Sequence, residues 1–114
     1  MVTFGGYTSE NFGTFLDYAE TVALDGDGST CTGPMTPLPF DNEQNIGLVD
    51  SNGNILSCGG QFSADRGHCI VYNKETDTWE DGPNMRYPRG AGGKAARLSD
   101  GRYFIIGATG DDPA

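Results

Sequence analysis

The stretch SNGNILSCGG, Ser51–Gly60, places two adjacent glycines directly after a short apolar run. Glycine is unfavourable inside a strand, because it loses more backbone entropy than other residues and adds no side chain to the packing. A similar ending recurs as MVTFGG at Met1–Gly6 and as GRYFIIGA at Gly101–Ala108. The recurrence predicts a repeating unit in which a strand ends at a glycine pair.

The repeat extends upstream of the glycines. A shift of 48 residues superimposes NGNILSCGG on DGRYFIIGA. Each copy begins with a dipeptide, Asn52-Gly53 or Asp100-Gly101, that is typical of a two-residue hairpin turn with positive φ at both central positions. The segments before these dipeptides, NIGLV and GKAARLS, are expected to form the first strand of each hairpin.

Further alignment predicts the fold class. The same shift aligns VALDGDGSTC, Val22–Cys31, with IVYNKETDTW, Ile70–Trp79. Between Gly6 and Gly60 the spacing is 54 residues, and the extra residues are assigned to an inserted loop at Tyr7–Glu20. The unit then holds about four short strands in about 50 residues. Eighteen glycines and six prolines disfavour long helices, so the sequence predicts an all-β fold.

Several residues of the second unit fall in a characteristic order. CGG is followed by Tyr72, by Trp79 after six intervening residues, by GPNM, by Arg89 and by DGRYFIIGA. This order resembles a kelch repeat, and the resemblance covers essentially the whole chain. It implies that each unit is one blade of a β-propeller, a four-stranded sheet radiating from a central axis. The first unit is degenerate, with Leu24 at the position of Tyr72 and Cys31 at the position of Trp79.

The resemblance also implies structural roles for the repeated residues. The glycines would lie near the crowded axis, where a Cβ would collide with neighbouring backbone. The aromatic residues would pack between neighbouring sheets rather than form a ligand platform, and the arginine would hold the segment between strands by hydrogen bonds. The residues concerned are Gly5, Gly6, Gly59, Gly60, Gly107, Tyr72, Trp79 and Arg89.

The predicted organisation is about two four-stranded antiparallel blades of an incomplete propeller. Residues 1–54 would form the first, degenerate blade without its first strand, together with the start of the second. Residues 55–114 would form the second blade and the terminal hairpin of the next. Propellers close with 4–8 blades, so two blades need further blades or other copies of the chain. Head-to-tail copies would form a ring or a filament.

Charge and hydropathy exclude some partners. The net charge is −9, with seven Lys and Arg against 16 Asp and Glu, so an acidic surface disfavours nucleic acid. No apolar run approaches the roughly 18–20 residues that span a bilayer, so membrane insertion is not expected. The N-terminal residues also lack the pattern of a secretory leader.

The second unit is also similar to the copper-radical oxidases of the galactose oxidase kind. That family implies a tyrosine directly after Arg89-Gly90, where Ala91 stands, and a cysteine near Gln44, where the chain has none. Copper also prefers imidazole ligands, and His68 is the single histidine. The sequence therefore predicts no catalytic, cofactor or metal residues and no enzymatic activity.

A calcium site is not expected either. DGDGST, Asp25–Thr30, begins like a calcium-binding loop, but the sixth and twelfth positions, Thr30 and Thr36, lack the required glycine and glutamate. The segment is interpreted as an acidic turn between two strands.

Cys58 and Cys69 lie on strands expected to pair around the loop GGQFSADRGH. If Gly60 lies near His68, Cys58 comes almost opposite Cys69 or Ile70, and a cross-strand disulfide becomes sterically possible. The alternative is two small buried thiols in a reducing compartment. A disulfide would favour an extracellular location. Cys31 makes the cysteine count odd, and it is interpreted as a buried thiol or an intermolecular link.

The function expected from these features is a non-enzymatic interaction or structural module. Its partners would be proteins, including other copies of itself, bound through loops such as Tyr7–Glu20 and Gln61–Gly67. One alternative is a fragment of a secreted galactose or glyoxal oxidase-like copper enzyme whose active site lies elsewhere. Another is a subunit of an extracellular filament built by strand exchange.

Overall fold

The computed structural model describes residues 2–5, 7–8, 14–22, 31–40, 44–60 and 67–107. These residues form β-strands and no helix, so none of them belongs to a helix that could cross a membrane. In chain order the strands are β1 (Val2–Phe4), β2 (Tyr7–Thr8), β3 (Thr14–Phe15), β4 (Ala19–Val22), β5 (Cys31–Pro34), β6 (Ile46–Val49), β7 (Ile55–Cys58), β8 (His68–Asn73), β9 (Thr78–Asn84), β10 (Lys94–Arg97) and β11 (Tyr103–Ile106).

The strands pair antiparallel, and each pair joins neighbours in sequence except that β1 pairs with β4. The largest sheet has the order β6-β7-β8-β9, and a three-stranded sheet before it has the order β1-β4-β5. β10 and β11 form a hairpin after the largest sheet, and β2 and β3 form a short ribbon. The predicted all-β class is confirmed, and the series of antiparallel sheets is consistent with part of a β-propeller.

The four-stranded sheet is covered on both faces. On one face Ile46, Leu48, Leu56 and Cys58 are buried, and Ala95, Tyr103 and Ile105 of the hairpin pack against them with other partly buried residues. On the opposite face the rings of Tyr72 and Trp79 lie toward Phe4 of β1. Alternate side chains of a strand point to opposite faces, which is why each strand supplies both layers.

The two hairpin turns are alike, but they are three-residue turns rather than the predicted two-residue turns. The amide of Gly53 donates to the carbonyl of Asp50, and the amide of Gly101 donates to the carbonyl of Leu98. Among the central residues only the glycines have positive φ, +82° at Gly53 and +87° at Gly101. This is the type I turn followed by a left-handed residue that three-residue hairpins favour.

The glycines that end the second strands adopt left-handed backbone conformations. The φ angles are +69° at Gly5, +64° at Gly59, +121° at Gly60 and +74° at Gly107, whereas Gly6 lies outside the described residues. A Cβ on Gly107 would meet only a carbonyl oxygen at 3.7 Å, an ordinary contact. At this position glycine is therefore needed for its backbone conformation, and the expected steric collision is not found.

In the first unit the predicted repeat alignment is wrong at β4, the strand equivalent to β8. The amide of Gly5 donates to the carbonyl of Tyr18, and the equivalent bond runs from Gly59 to His68. The register then pairs Val22 with Cys31, as Tyr72 pairs with Trp79. Cys31 thus occupies the predicted place, but Val22 stands where Leu24 was expected, and Leu24 lies outside the described residues.

The predicted loop at Tyr7–Glu20 contains regular structure. The described part of it holds the paired strands β2 and β3 and the beginning of β4 at Ala19. The strand β4, which is the third strand of the four-stranded unit, therefore starts earlier than the repeat alignment indicated. The inserted residues before it include the ribbon of β2 and β3. The second predicted contact loop, Gln61–Gly67, is described only at Gly67.

Candidate functional site

The aromatic residues singled out from the sequence lie between two sheets. Tyr72 and Trp79 are directly opposite each other on β8 and β9, with ring centroids 5.3 Å apart. Phe4 approaches Trp79 edge-on, with centroids 5.7 Å apart. Edge-on aromatic pairs contribute about 0.5–1.5 kcal/mol beyond the area they bury. The three rings join the first sheet to the four-stranded sheet.

Thr36 is held at this contact by both of its backbone groups. The indole nitrogen of Trp79 donates to the carbonyl of Thr36 at 2.9 Å, and the Thr36 amide donates to Oδ1 of Asp77 at 3.0 Å. The Tyr72 hydroxyl donates to the same Asp77 oxygen at 2.7 Å. We refer to Tyr72, Asp77, Trp79 and Thr36 as the inter-sheet clamp. It fixes the segment after β5 against the turn between β8 and β9.

Sequence reasoning missed two members of the inter-sheet clamp. Asp77 lies in the turn between β8 and β9 with φ of +52°, a left-handed conformation that aspartate tolerates better than most residues. An aspartate two residues before the signature tryptophan was therefore a usable signal. Thr36 contributes its backbone carbonyl to Trp79 and both its amide and its side chain to Asp77, and a single threonine in a loop gives no sequence signal of that kind.

Hydrogen bonds within the inter-sheet clamp shift the pKa values of Asp77 and Tyr72. The Thr36 amide, followed by the Tyr72 hydroxyl, holds the pKa of Asp77 below its ordinary value. The same bond to Asp77 raises the pKa of Tyr72. Both shifts favour the state with an ionised carboxylate and a protonated phenol, which is the state that makes all three hydrogen bonds.

We expect replacement of Asp77 by asparagine to weaken the acid dependence of stability. Because the folded pKa of Asp77 is depressed, its contribution is complete above the ordinary aspartate pKa of about 3.9 and is lost as pH falls through the folded value. The wild-type chain should therefore lose more stability on acidification than Asp77→Asn does. Thermal unfolding followed by circular dichroism from neutral pH to about pH 3 measures the difference.

Asp50 provides the matched comparison for this experiment. Its pKa is also lowered, mainly by the backbone amide and side chain of Asn54, but its bonds lie within one hairpin turn. Asp50→Asn should also reduce the loss of stability on acidification, but it should leave the contact between the sheets intact. Equal acid dependence in wild type and Asp77→Asn would contradict the role given to Asp77.

Arg89 links the ends of two equivalent strands. Its guanidinium donates to the carbonyl of Gly107 at 2.6 Å, and its own carbonyl accepts from the amide of Gly60 at 3.1 Å. Gly60 follows β7 and Gly107 follows β11, so Arg89 spans successive units at the points where their second strands end. Arg89 therefore connects the ends of these two strands through hydrogen bonds.

A disulfide joins Cys58 to Cys69. The two residues are opposite each other on β7 and β8 with Cα atoms 4.1 Å apart, and they are 1% and 2% exposed. Their sulfurs belong to the buried face that receives the terminal hairpin. The alternative of two free buried thiols does not apply to this structure.

The described residues do not form a metal site. They contain no group of three or more His, Cys, Asp and Glu side chains placed to bind an ion. His68 contacts Asn84 at 2.7 Å and Asp81 at 3.2 Å. Ala91 and Gln44, at the positions where a copper-radical oxidase implies tyrosine and cysteine, cannot supply a phenol or a thiol. The residues described here therefore do not fit copper.

Comparison with known proteins relates the chain to an oxidase. No protein-family model matches it. Two curated proteins, both galactose oxidases of Gibberella zeae and one from strain PH-1, are 38% identical to it over 61 residues. The aligned segment is 54% of this chain and 8% of each relative, so the match spans a small fraction of their length.

This similarity corrects the expectation that the chain is not an enzyme. That expectation depended on the missing tyrosine and cysteine, which concern only the residues present here. The relatives are enzymes, and the match points to an enzyme family. Chemistry absent from one stretch of a scaffold says little about the whole, since active sites collect residues from several elements.

Proposed function

We propose that the chain is a blade-forming segment of a kelch-type propeller in a copper oxidase similar to galactose oxidase. The observation that carries this proposal is the 38% identity to galactose oxidase over 61 residues. The four-stranded sheet β6–β9 supports it, because a sheet packed on both faces is the arrangement that a blade requires.

Within such an enzyme the segment would act as scaffold. The inter-sheet clamp and Arg89 fix successive sheets to one another, and this rigidity would position loops and side chains contributed by other parts of the protein. The buried disulfide is in keeping with an oxidising, extracellular compartment.

The proposed reaction is the oxidation of a primary alcohol of a carbohydrate to an aldehyde. The alcohol carbon and oxygen lose two hydrogens, and O₂ accepts the two electrons and two protons to become hydrogen peroxide. The residues that bind the copper ion would lie outside those described here.

The test uses the natural polypeptide that contains this chain, loaded with copper and freed of excess metal. We expect about one copper per protein by metal analysis and peroxide release with galactose or another primary alcohol in a peroxidase-coupled assay. The copper-free protein is the control. A protein that binds no copper, or that releases no peroxide with any primary alcohol tested, would disprove the proposal.

A further inference from the structure

The turn between β6 and β7 contains an Asn-Gly pair, Asn52-Gly53, that takes no part in the proposed function. Asn52 is exposed, and its backbone amide donates to Oδ1 of Asp50 at 2.8 Å. Its side-chain amide makes no hydrogen bond within the described part of the chain. The side chain of Asn52 can therefore turn toward the backbone that follows it.

The other four described asparagines are held through their side chains. Each of these side chains has a hydrogen-bond partner at a distance between 2.6 and 2.9 Å. Each asparagine is also followed by a residue with a large side chain rather than by glycine. Asn52 differs from them in both respects. The four pairs are Asn45 with Ser57, Asn54 with Asp50, Asn73 with Glu80 and Asn84 with His68.

The glycine after Asn52 leaves its own backbone nitrogen open to approach. The φ angle of Gly53 is +82°, and no atom beyond its chain neighbours lies within 4 Å of the point where a Cβ would be. Because glycine has no side chain, nothing hinders contact between its nitrogen and the Asn52 side chain. The Gly53 amide donates to the Asp50 carbonyl at 3.1 Å, so this one bond must open before the nitrogen can react.

We propose that Asn52 is a site of spontaneous deamidation, in which the backbone nitrogen of Gly53 attacks the side-chain carbonyl carbon of Asn52. The new bond from nitrogen to Cγ closes a five-membered succinimide ring. Nδ2 leaves as ammonia, together with the proton that the Gly53 nitrogen loses. Water then opens the ring at Cγ to give aspartate, or at the backbone carbonyl carbon to give isoaspartate. Attack within one molecule is favoured because the two groups are already close together.

Both products alter the turn. Each replaces a neutral amide by a carboxylate near the Asp50 carboxylate, which accepts from the backbone amides of Asn52 and Asn54. The two like charges repel each other. Isoaspartate also adds one carbon to the main chain, which lengthens a turn closed by the bond from Gly53 to Asp50. We therefore expect the modified chain to be less stable than the unmodified chain.

The equivalent turn between β10 and β11 provides a comparison within the same chain. Asp100 and Gly101 occupy the places of Asn52 and Gly53, and the φ angle of Gly101 is +87°. The Arg102 side chain donates to Oδ2 of Asp100 at 2.8 Å, and the Arg102 amide donates to Oδ1 at 3.1 Å. These bonds direct both carboxylate oxygens toward Arg102. The negative charge of a carboxylate also disfavours attack by nitrogen, so we expect Asp100 to stay unmodified.

The test is incubation of the folded 114-residue chain at mildly alkaline pH, followed by peptide mapping with tandem mass spectrometry. We expect deamidation at Asn52 to be at least about 10-fold faster than at any other described asparagine. Labelling by an isoaspartate-specific methyltransferase should appear at position 52 and not at position 100. Equal rates at all five asparagines, or reaction of Asn52 only after unfolding in urea, would disprove the proposal.

Two variants separate ring closure from its consequences. Asn52→Gln keeps the amide but lengthens the side chain by one carbon, so the ring would have six members and close more slowly. This variant should therefore show no isoaspartate over the same time, and isoaspartate at the wild-type rate would contradict the mechanism. Asn52→Asp carries the new charge without the extra main-chain carbon.

The unfolding midpoint in urea measures the effect on the turn. Incubated wild-type chain that contains isoaspartate should unfold at a lower urea concentration than Asn52→Asp, because only the former has the longer main chain. Equal midpoints for the incubated and the freshly prepared wild-type chain would contradict the expected loss of stability. No step needs copper or oxidase activity, so this result is independent of the proposed function.

Discussion

Replacing Trp79 by alanine is expected to lower the free energy of unfolding by about 3 kcal/mol. The substitution removes the ring that contacts both Tyr72 and Phe4, at centroid distances of 5.3 Å and 5.7 Å. It also removes the donor to the Thr36 carbonyl. The variant loses packing, two aromatic contacts and a hydrogen bond, and each loss destabilises the folded chain. All of them occur where the first sheet joins the four-stranded sheet.

Urea denaturation followed by far-UV circular dichroism measures this effect. Circular dichroism is needed because Trp79 is the only tryptophan, so its replacement also removes the indole fluorescence. Hydrogen exchange adds a local measurement, since the Thr36 amide should exchange faster once the clamp has lost its tryptophan.

Two variants separate the contributions of ring and hydrogen bond. Trp79→Phe keeps an aromatic ring but loses the indole N–H, and we expect it to cost about 1–2 kcal/mol because the Thr36 carbonyl loses its partner. Tyr87→Ala, at a side chain that is 44% exposed, should change stability by about 0.5 kcal/mol or less. An unfolding midpoint for Trp79→Ala equal to that of wild type would refute the joining role.

The strand pattern could be predicted from the sequence because it is encoded locally and twice. The glycines after β7 and β11 require positive φ, and the turns at Gly53 and Gly101 are built alike, so each copy supports the assignment of the other. The turn length was wrong because an Asn-Gly or Asp-Gly pair is compatible with both two-residue and three-residue hairpins. A single φ angle at the preceding residue distinguishes them.

The site was harder to predict because much of it is made of backbone. The aromatic residues Tyr72 and Trp79 were visible in the sequence, but Thr36 binds Trp79 through its backbone carbonyl and Asp77 through its amide, and backbone groups leave no mark in the sequence. The expectation of no enzymatic activity was wrong because it depended on a tyrosine and a cysteine missing from these residues alone, whereas the relatives that match the chain are enzymes.

Removing the disulfide by the double substitution Cys58→Ala and Cys69→Ala is expected to lower the free energy of unfolding by about 3 kcal/mol through loss of the cross-link alone. The bond joins residues 11 positions apart. Closing a loop of this size lowers the conformational entropy of the unfolded chain, which raises its free energy by about that amount. Deleting two sulfurs from the buried face adds a packing loss against the terminal hairpin. Replacing both residues avoids leaving an unpaired reactive thiol.

Burial of the disulfide adds a second expected result. Because Cys58 and Cys69 are 1% and 2% exposed, dithiothreitol should reduce the bond slowly in the native chain and quickly in urea. Thiol titration with and without urea measures the two rates. After reduction in urea and refolding under reductant, the wild-type chain should unfold at a lower urea concentration than the oxidised chain. Its midpoint should stay above that of the double variant, because the reduced chain keeps both sulfur atoms in the core. Rapid reduction of the native chain, or an unchanged midpoint in the double variant, would mean that the bond does not hold β7 to β8 in solution.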